Sequence, residues 1–232
     1  MHTTKSILIL LFLGITISCT KKASLSVSSG KIIEIPDFPS VHIDARTLAV
    51  WLPDGYSKKV NHPVLYMHDG QMLFDASKTW NKQEWGVDEV LTKLGKEIQP
   101  LPIVVGIWNN PITRHADFTP QKALEQYGTA LVDSLVAHAK RGEEKLFNHI
   151  PRADAYLKFL VEEVKPYIDK TFSTNPKASH TFVAGSSMGG LISLYALLEF
   201  PETFGGAACL STHWPVTFVM ENNPFPKAIA GY

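Results

Sequence analysis

Apolar residues recur along this chain in two alternating ways. Short runs without helical period are followed by longer segments with it. Lys31 to Ile35 and His42 to Leu52 have strand character. In the second, Ile43, Ala45, Thr47, Ala49 and Trp51 fall on one face, and Asp44, Arg46, Leu48, Val50 and Leu52 on the other. Pro53 to Tyr56 reads as a turn. Pro63 to His68, Ile103 to Ile107, His180 to Ala184 and Ala207 to Ser211 are apolar runs of the kind found in strands buried on both faces of a parallel sheet. Between them, Trp85 to Lys96 places Val87, Val90, Leu91 and Leu94 at i, i+3, i+4 and i+7. Ala123 to Lys140, Ala153 to Phe172 (bent or ended near Pro166) and Met188 to Phe200 are also expected to be helical, while Asn109 to Gln121, with two prolines, reads as a loop. Strands alternating with helices predict an α/β fold: a mainly parallel sheet with helices on both faces, its two opening strands forming an antiparallel edge.

The first residues obey a different logic. A short basic start, Met1 to Lys5, precedes the aliphatic run Ile7 to Ile17 and then Ser18-Cys19. This is the layout of an export signal. Ile-Thr-Ile-Ser-Cys also resembles a bacterial lipobox, with Thr16 where an aliphatic residue is usual. Residues 1–18 are therefore expected to be a signal peptide, Cys19 a lipid attachment point, 19–30 a flexible tether, and 31–232 the folded domain. The expected location is the bacterial cell envelope, with membrane contact only through the anchor, or the exterior if Cys19 is not acylated. The 22 Lys+Arg and 22 Asp+Glu residues cancel, which argues against a nucleic-acid partner. A hydrophobic share of 45% against 19% charged excludes disorder. Two cysteines, Cys19 and Cys209, make neither a disulfide scaffold nor a zinc site; Cys209, in an apolar strand, is expected to be a buried small hydrophobe.

Gly185-Ser186-Ser187-Met188-Gly189 fits G-x-S-x-G and lies between an apolar strand and a helical segment, the setting of a nucleophile elbow. A sharp strand-to-helix turn there lifts the Ser187 hydroxyl clear of the sheet. The helix N-terminus supplies free N–H groups where an oxyanion would develop. A second donor must come from the loop after an earlier strand, and Tyr66-Met67-His68-Asp69-Gly70-Gln71 is suitably placed.

These segments, with Trp85-Gly86-Val87-Asp88-Glu89, Ala153-Asp154, Val164 to Asp169, Ala184 to Gly190 and Leu194-Tyr195-Ala196, resemble the Putative esterase family of α/β-hydrolases over about residues 40–215. That group includes enterochelin esterases, feruloyl esterases, S-formylglutathione hydrolases and mycolyltransferases. The resemblance implies Ser187 as nucleophile, the N–H groups of Met188 and Gln71 as the oxyanion pair, and Asp69 with the Trp80 to Trp85 region bordering the substrate site. It also implies His213 and Trp214 in the pocket wall. The substrate would be a small-molecule or glycan-linked ester, with no metal or organic cofactor.

In this fold the nucleophile is followed in sequence by an acid and then a histidine. After Ser187 there is no Asp, the Glu residues are 199, 202 and 221, and His213 is the single His. Glu199 and Glu202 lie roughly 15 Å or more from the serine if the helix is regular. Acid and base are therefore expected beyond residue 232, making this an N-terminal fragment lacking part of the sheet and nearly inactive alone. His68 and His115 are expected as loop or supporting groups. An acyltransferase of the same fold and a non-catalytic envelope binding lipoprotein are the alternatives. Trp80, Trp85, Trp108 and Trp214 could line an aromatic cleft or belong to the core.

Overall fold

The structure, a computed structural model, describes residues 24–218, 221 and 223–232. Residues 1–18 and Cys19, the expected signal peptide and lipid site, lie outside the described residues.

The strands are β1 (Lys31–Phe38), β2 (Arg46–Leu52), β3 (Val64–His68), β4 (Ile103–Ile107), the two-residue pair β5 (Lys140–Arg141) and β6 (Glu144–Lys145), β7 (Thr181–Ser186) and β8 (Gly206–Leu210). The helices are α1 (Val87–Leu94), α2 (Arg114–Asp117), α3 (Thr129–His138), α4 (Ala153–Lys158), α5 (Lys165–Thr171), α6 (Met188–Glu199) and α7 (Phe225–Ala230). Six strands form one sheet in the order β1-β2-β4-β3-β7-β8. β1, β2 and β4 pair antiparallel, whereas β4, β3, β7 and β8 run parallel. This is the predicted α/β sheet with its antiparallel opening edge.

The alternation along β2 divides the core. Leu48, Val50 and Leu52 join Val64, Tyr66, Ile103, Val105 and Val183 beneath α4, α5 and α6. Ala49 and Trp51 join Met67, Val104 and Ala184 on the other side, covered by Leu73, Phe74 and Val87. Both faces are covered, so the central strands can be apolar throughout.

Three expectations change. The segment from residue 24 on is docked: Leu25 is buried, Ser26 N–H donates to Asp75 (2.9 Å) and Ser28 N–H to Asp88 (2.7 Å). Asp88 is fully buried in the first turn of α1, where its carboxylate accepts from this segment. The 19–30 tether is therefore wrong for residues 24–30, because Leu25 supplies apolar anchorage. β8, expected to be buried, is an outer strand of the described sheet; Ala208 and Leu210 are exposed and Cys209 is only half-buried. Finally, residues 153–171 stay helical through Pro166, because a π-helical stretch over Phe159–Val164 precedes it. Pro166 then falls in the first turn of α5, where no N–H is needed.

Candidate active site

β7 delivers the chain to Ser187 at the top of the sheet, and α6 departs from it. Ser187 sits at φ 58°, ψ −118°, a conformation that costs about 1–3 kcal/mol for a non-glycine residue. Three bonds hold it there. Its N–H donates to Leu210 O (2.9 Å), and its carbonyl accepts from His213 N–H (3.1 Å) as well as from Leu191 N–H in the first turn of α6 (3.2 Å). The strain is therefore fixed by both β8 and the helix. Met188 opens α6, so its N–H has no carbonyl inside the helix.

The glycines around the serine are not equivalent. A Cβ at Gly185 would lie 2.5 Å from the backbone of Gly189, and one at Gly190 would lie 2.9 Å from Thr212 Oγ1. At Gly189 the nearest atom would be Asp69 Oδ2 at 3.4 Å. The G-x-S-x-G spacing thus reflects one close crossing of β7 by α6, required at Gly185 and touching Gly189 only through its backbone.

The loop after β3 abuts that same helix turn. Asp69 adopts the left-handed conformation (φ 60°, ψ 42°), and a one-turn 3-10 helix over Gly70–Met72 follows. Gly70 presses against β4, where a Cβ would meet the Gly106 carbonyl carbon at 2.4 Å. Asp69 is gripped by Arg114 through two bonds, Nε to Oδ1 and NH2 to Oδ2, both 2.7 Å. Asn109 Nδ2 adds a third at 2.6 Å, and Asn109 N–H donates to Gln71 Oε1 (3.1 Å). Burial pushes the Asp69 carboxyl up, but the bonds and charge of Arg114 and the bond from Asn109 outweigh it and hold it below the usual range. His68, beneath the loop, is fully buried and bonds Tyr156 Oη at 2.7 Å. Burial lowers its pKa to about 4, so it is neutral at pH 7.

Ser187, Met188, Asp69, Gln71 and His213 line one cavity of about 620 Å³. The structure therefore brings together five of the six residues expected at the site. Trp214 is the exception: it is 43% exposed and outside the cavity lining. His213 is turned to the elbow by its bond to Ser187, and the next side chain projects away. The four tryptophans divide. Trp80 and Trp85 line the cavity, whereas Trp108 packs against the core side containing Trp51.

Arg114, His115, Asn109 and Arg141 also face the cavity, and none was picked out by sequence pattern as a substrate-site residue. They lie in the segment read as a loop, in which α2 forms, and on the β5–β6 hairpin. His115 Nε2 donates to Val216 O (2.8 Å), and burial lowers its pKa to about 4. Burial also lowers that of His213. Among the described residues, no carboxylate is hydrogen-bonded to either ring. Also among the described residues, no group of three or more His, Cys, Asp or Glu side chains could hold a metal ion, and no helix is long and apolar enough to cross a membrane.

Comparison with known proteins gives the family and the fold. A family model described as Putative esterase matches residues 43–225. The chain is 26% identical over 171 residues to the uncharacterized protein YbbA of Bacillus subtilis (strain 168), covering 73% of this chain and 58% of that protein. It is 26% identical over 208 residues to an endo-1,4-beta-xylanase/feruloyl esterase of Xylanibacter ruminicola, covering 88% of this chain and 24% of that protein. Its fold resembles the crystal structure of an IroE-like serine hydrolase from Shewanella oneidensis, with TM-score 0.61 and 23% identity, over 87% of this chain and 55% of that one. The chain thus spans less than two thirds of the length of each of these relatives.

Proposed function

Because the chain belongs to the Putative esterase family, we propose that it is a serine hydrolase that cleaves carboxylic esters through an acyl-enzyme on Ser187. The observation that carries this reading is the strained Ser187 backbone at the junction of β7 and α6, opening into a cavity shared with the Asp69–Gln71 loop. The Ser187 Oγ attacks the ester carbonyl carbon as its proton passes to a base. The resulting oxyanion accepts hydrogen bonds from Met188 N–H and Gln71 N–H, the alcohol leaves, and water then releases the acid. The Arg114–Asp69–Asn109 bonds support Gln71 by fixing the loop that carries it.

The base is the part that the described residues of this cavity do not supply in working order. His115 is committed to Val216 O, and among the described residues no carboxylate orients His213. Hydrolysis of p-nitrophenyl butyrate by the 232-residue chain is expected to fall about 10⁴-fold or more below the roughly 10 s⁻¹ of a typical enzyme. The remainder should vanish in Ser187→Ala. Turnover near 10 s⁻¹ by this chain would overturn the assignment of His115 and His213 as non-catalytic. A second reading, favoured by the unoriented His213 ring among the described residues, is a binding protein built on an esterase fold, which predicts that Ser187 is inert to esterase-directed reagents.

A further inference from the structure

The wall of the cavity opposite the elbow is charged. The β5–β6 hairpin, turning at Gly142 and Glu143, contributes Arg141, Glu144 and Lys145 to the lining. The Arg141 guanidinium lies over the Phe218 ring, 5.6 Å from its centroid. Phe218 in turn lies 5.3 Å from the ring of His213, the residue tied to the Ser187 carbonyl. A continuous apolar-to-cationic path therefore leads from the proposed nucleophile to Arg141.

The charges along that path do not cancel. Arg114 is committed to Asp69 through two hydrogen bonds. His115 is neutral at pH 7, its pKa brought to about 4 chiefly by burial. Among the described residues, neither Arg141 nor Lys145 is within ion-pair distance of a carboxylate. Glu144 offsets one of the two cations, which leaves a single positive charge at the cavity. A planar guanidinium stacked on an aromatic face keeps its N–H edges free, and that edge fits a carboxylate through two parallel hydrogen bonds. One net charge suits a monoanion better than a phosphate dianion.

We propose that this cavity selects esters that carry a carboxylate on one arm, held by Arg141 above Phe218 with Lys145 beside it. The proposal rests on the reading of the cavity as an ester site and names the substrate class for it. An apolar ester arm would lie along Trp80, Trp85 and Phe218, with the carboxylate at the hairpin.

Equilibrium binding tests this without turnover. The probes are the monophenyl ester of succinic acid and its primary carboxamide analogue, which share shape but differ in charge at pH 7. Each would be titrated into the protein, following the tryptophan indole N–H resonances by NMR. The carboxylate is expected to bind about 10-fold tighter than the carboxamide, a preference of the size a charge-assisted hydrogen-bond pair gives at a partly wet site. Arg141→Ala should bring the ratio to about 1, Arg141→Lys should retain part of it, and 0.5 M NaCl should shrink it in the wild type. Arg141 is surface-exposed, so these variants should fold, which thermal unfolding would check. Equal affinities in the wild type, an undiminished ratio in Arg141→Ala, or no carboxylate binding up to about 10 mM would each overturn the proposal. If the carboxylate preference stands while Ser187 resists covalent labelling, the hydrolase reading fails and this one survives.

Discussion

Gly185→Val is expected to destabilise the fold by at least about 3 kcal/mol, a large part of the 5–15 kcal/mol typical of a domain. The added Cβ would sit 2.5 Å from the Gly189 carbonyl carbon and oxygen and 2.8 Å from its Cα. All three atoms are backbone, so relief requires α6 to move away from β7. That movement would separate Met188 from the sheet and release the bonds holding Ser187. Gly189→Ala provides the contrast. Its Cβ would meet Asp69 Oδ2 at 3.4 Å, an ordinary contact, and alanine is favoured over glycine within a helix by about 1 kcal/mol. Urea unfolding should therefore show a much lower midpoint for Gly185→Val and an equal or higher one for Gly189→Ala. Equal losses would mean that the two motif glycines serve the same purpose.

The second large effect concerns the ion pair in the loop after β3. Arg114→Ala would leave the Asp69 carboxylate buried with only the Asn109 amide bonded to it. Breaking a buried pair costs about 3–5 kcal/mol, and with the Arg114 side chain 26% exposed the low end, about 3 kcal/mol, is expected. The pair also has a pH signature. Its folded-state carboxyl pKa is held below the unfolded value, so the Asp69 contribution is present above about pH 4 and is lost as pH falls through the folded value. Asp69→Asn removes that contribution at every pH. Its stability should therefore fall less steeply than the wild type's as pH drops below about 4. Parallel acid-unfolding curves for the two proteins would contradict the assigned role of the pair.

The sheet was legible because period and burial agree. Leu48, Val50 and Leu52 against Ala49 and Trp51 declare two covered faces, and each face has its own core in the structure. The elbow was legible because glycine spacing, an apolar strand and a helix coincide at Ser187. Residues whose importance depends on tertiary pairing were less visible. Arg114 lies in a proline-flanked stretch, and only the fold brings it to Asp69, 45 residues earlier. Arg141 lies on a two-residue strand too short to show any alternation. β8 is an outer strand of the described sheet, with Leu210 exposed, although Ala207 to Leu210 is as apolar as a central strand. Trp214 misled because composition cannot say on which side of His213 the chain turns.

The central claim is that Ser187 is a poised nucleophile beside an oxyanion pair. The most direct test is incubation with a small alkyl fluorophosphonate followed by tryptic peptide mapping. The account predicts one phosphonyl adduct, on Ser187 and not on neighbouring Ser186, formed slowly and absent from Ser187→Ala. A native protein that remains unlabelled after prolonged exposure, or an adduct on a different residue, would contradict it.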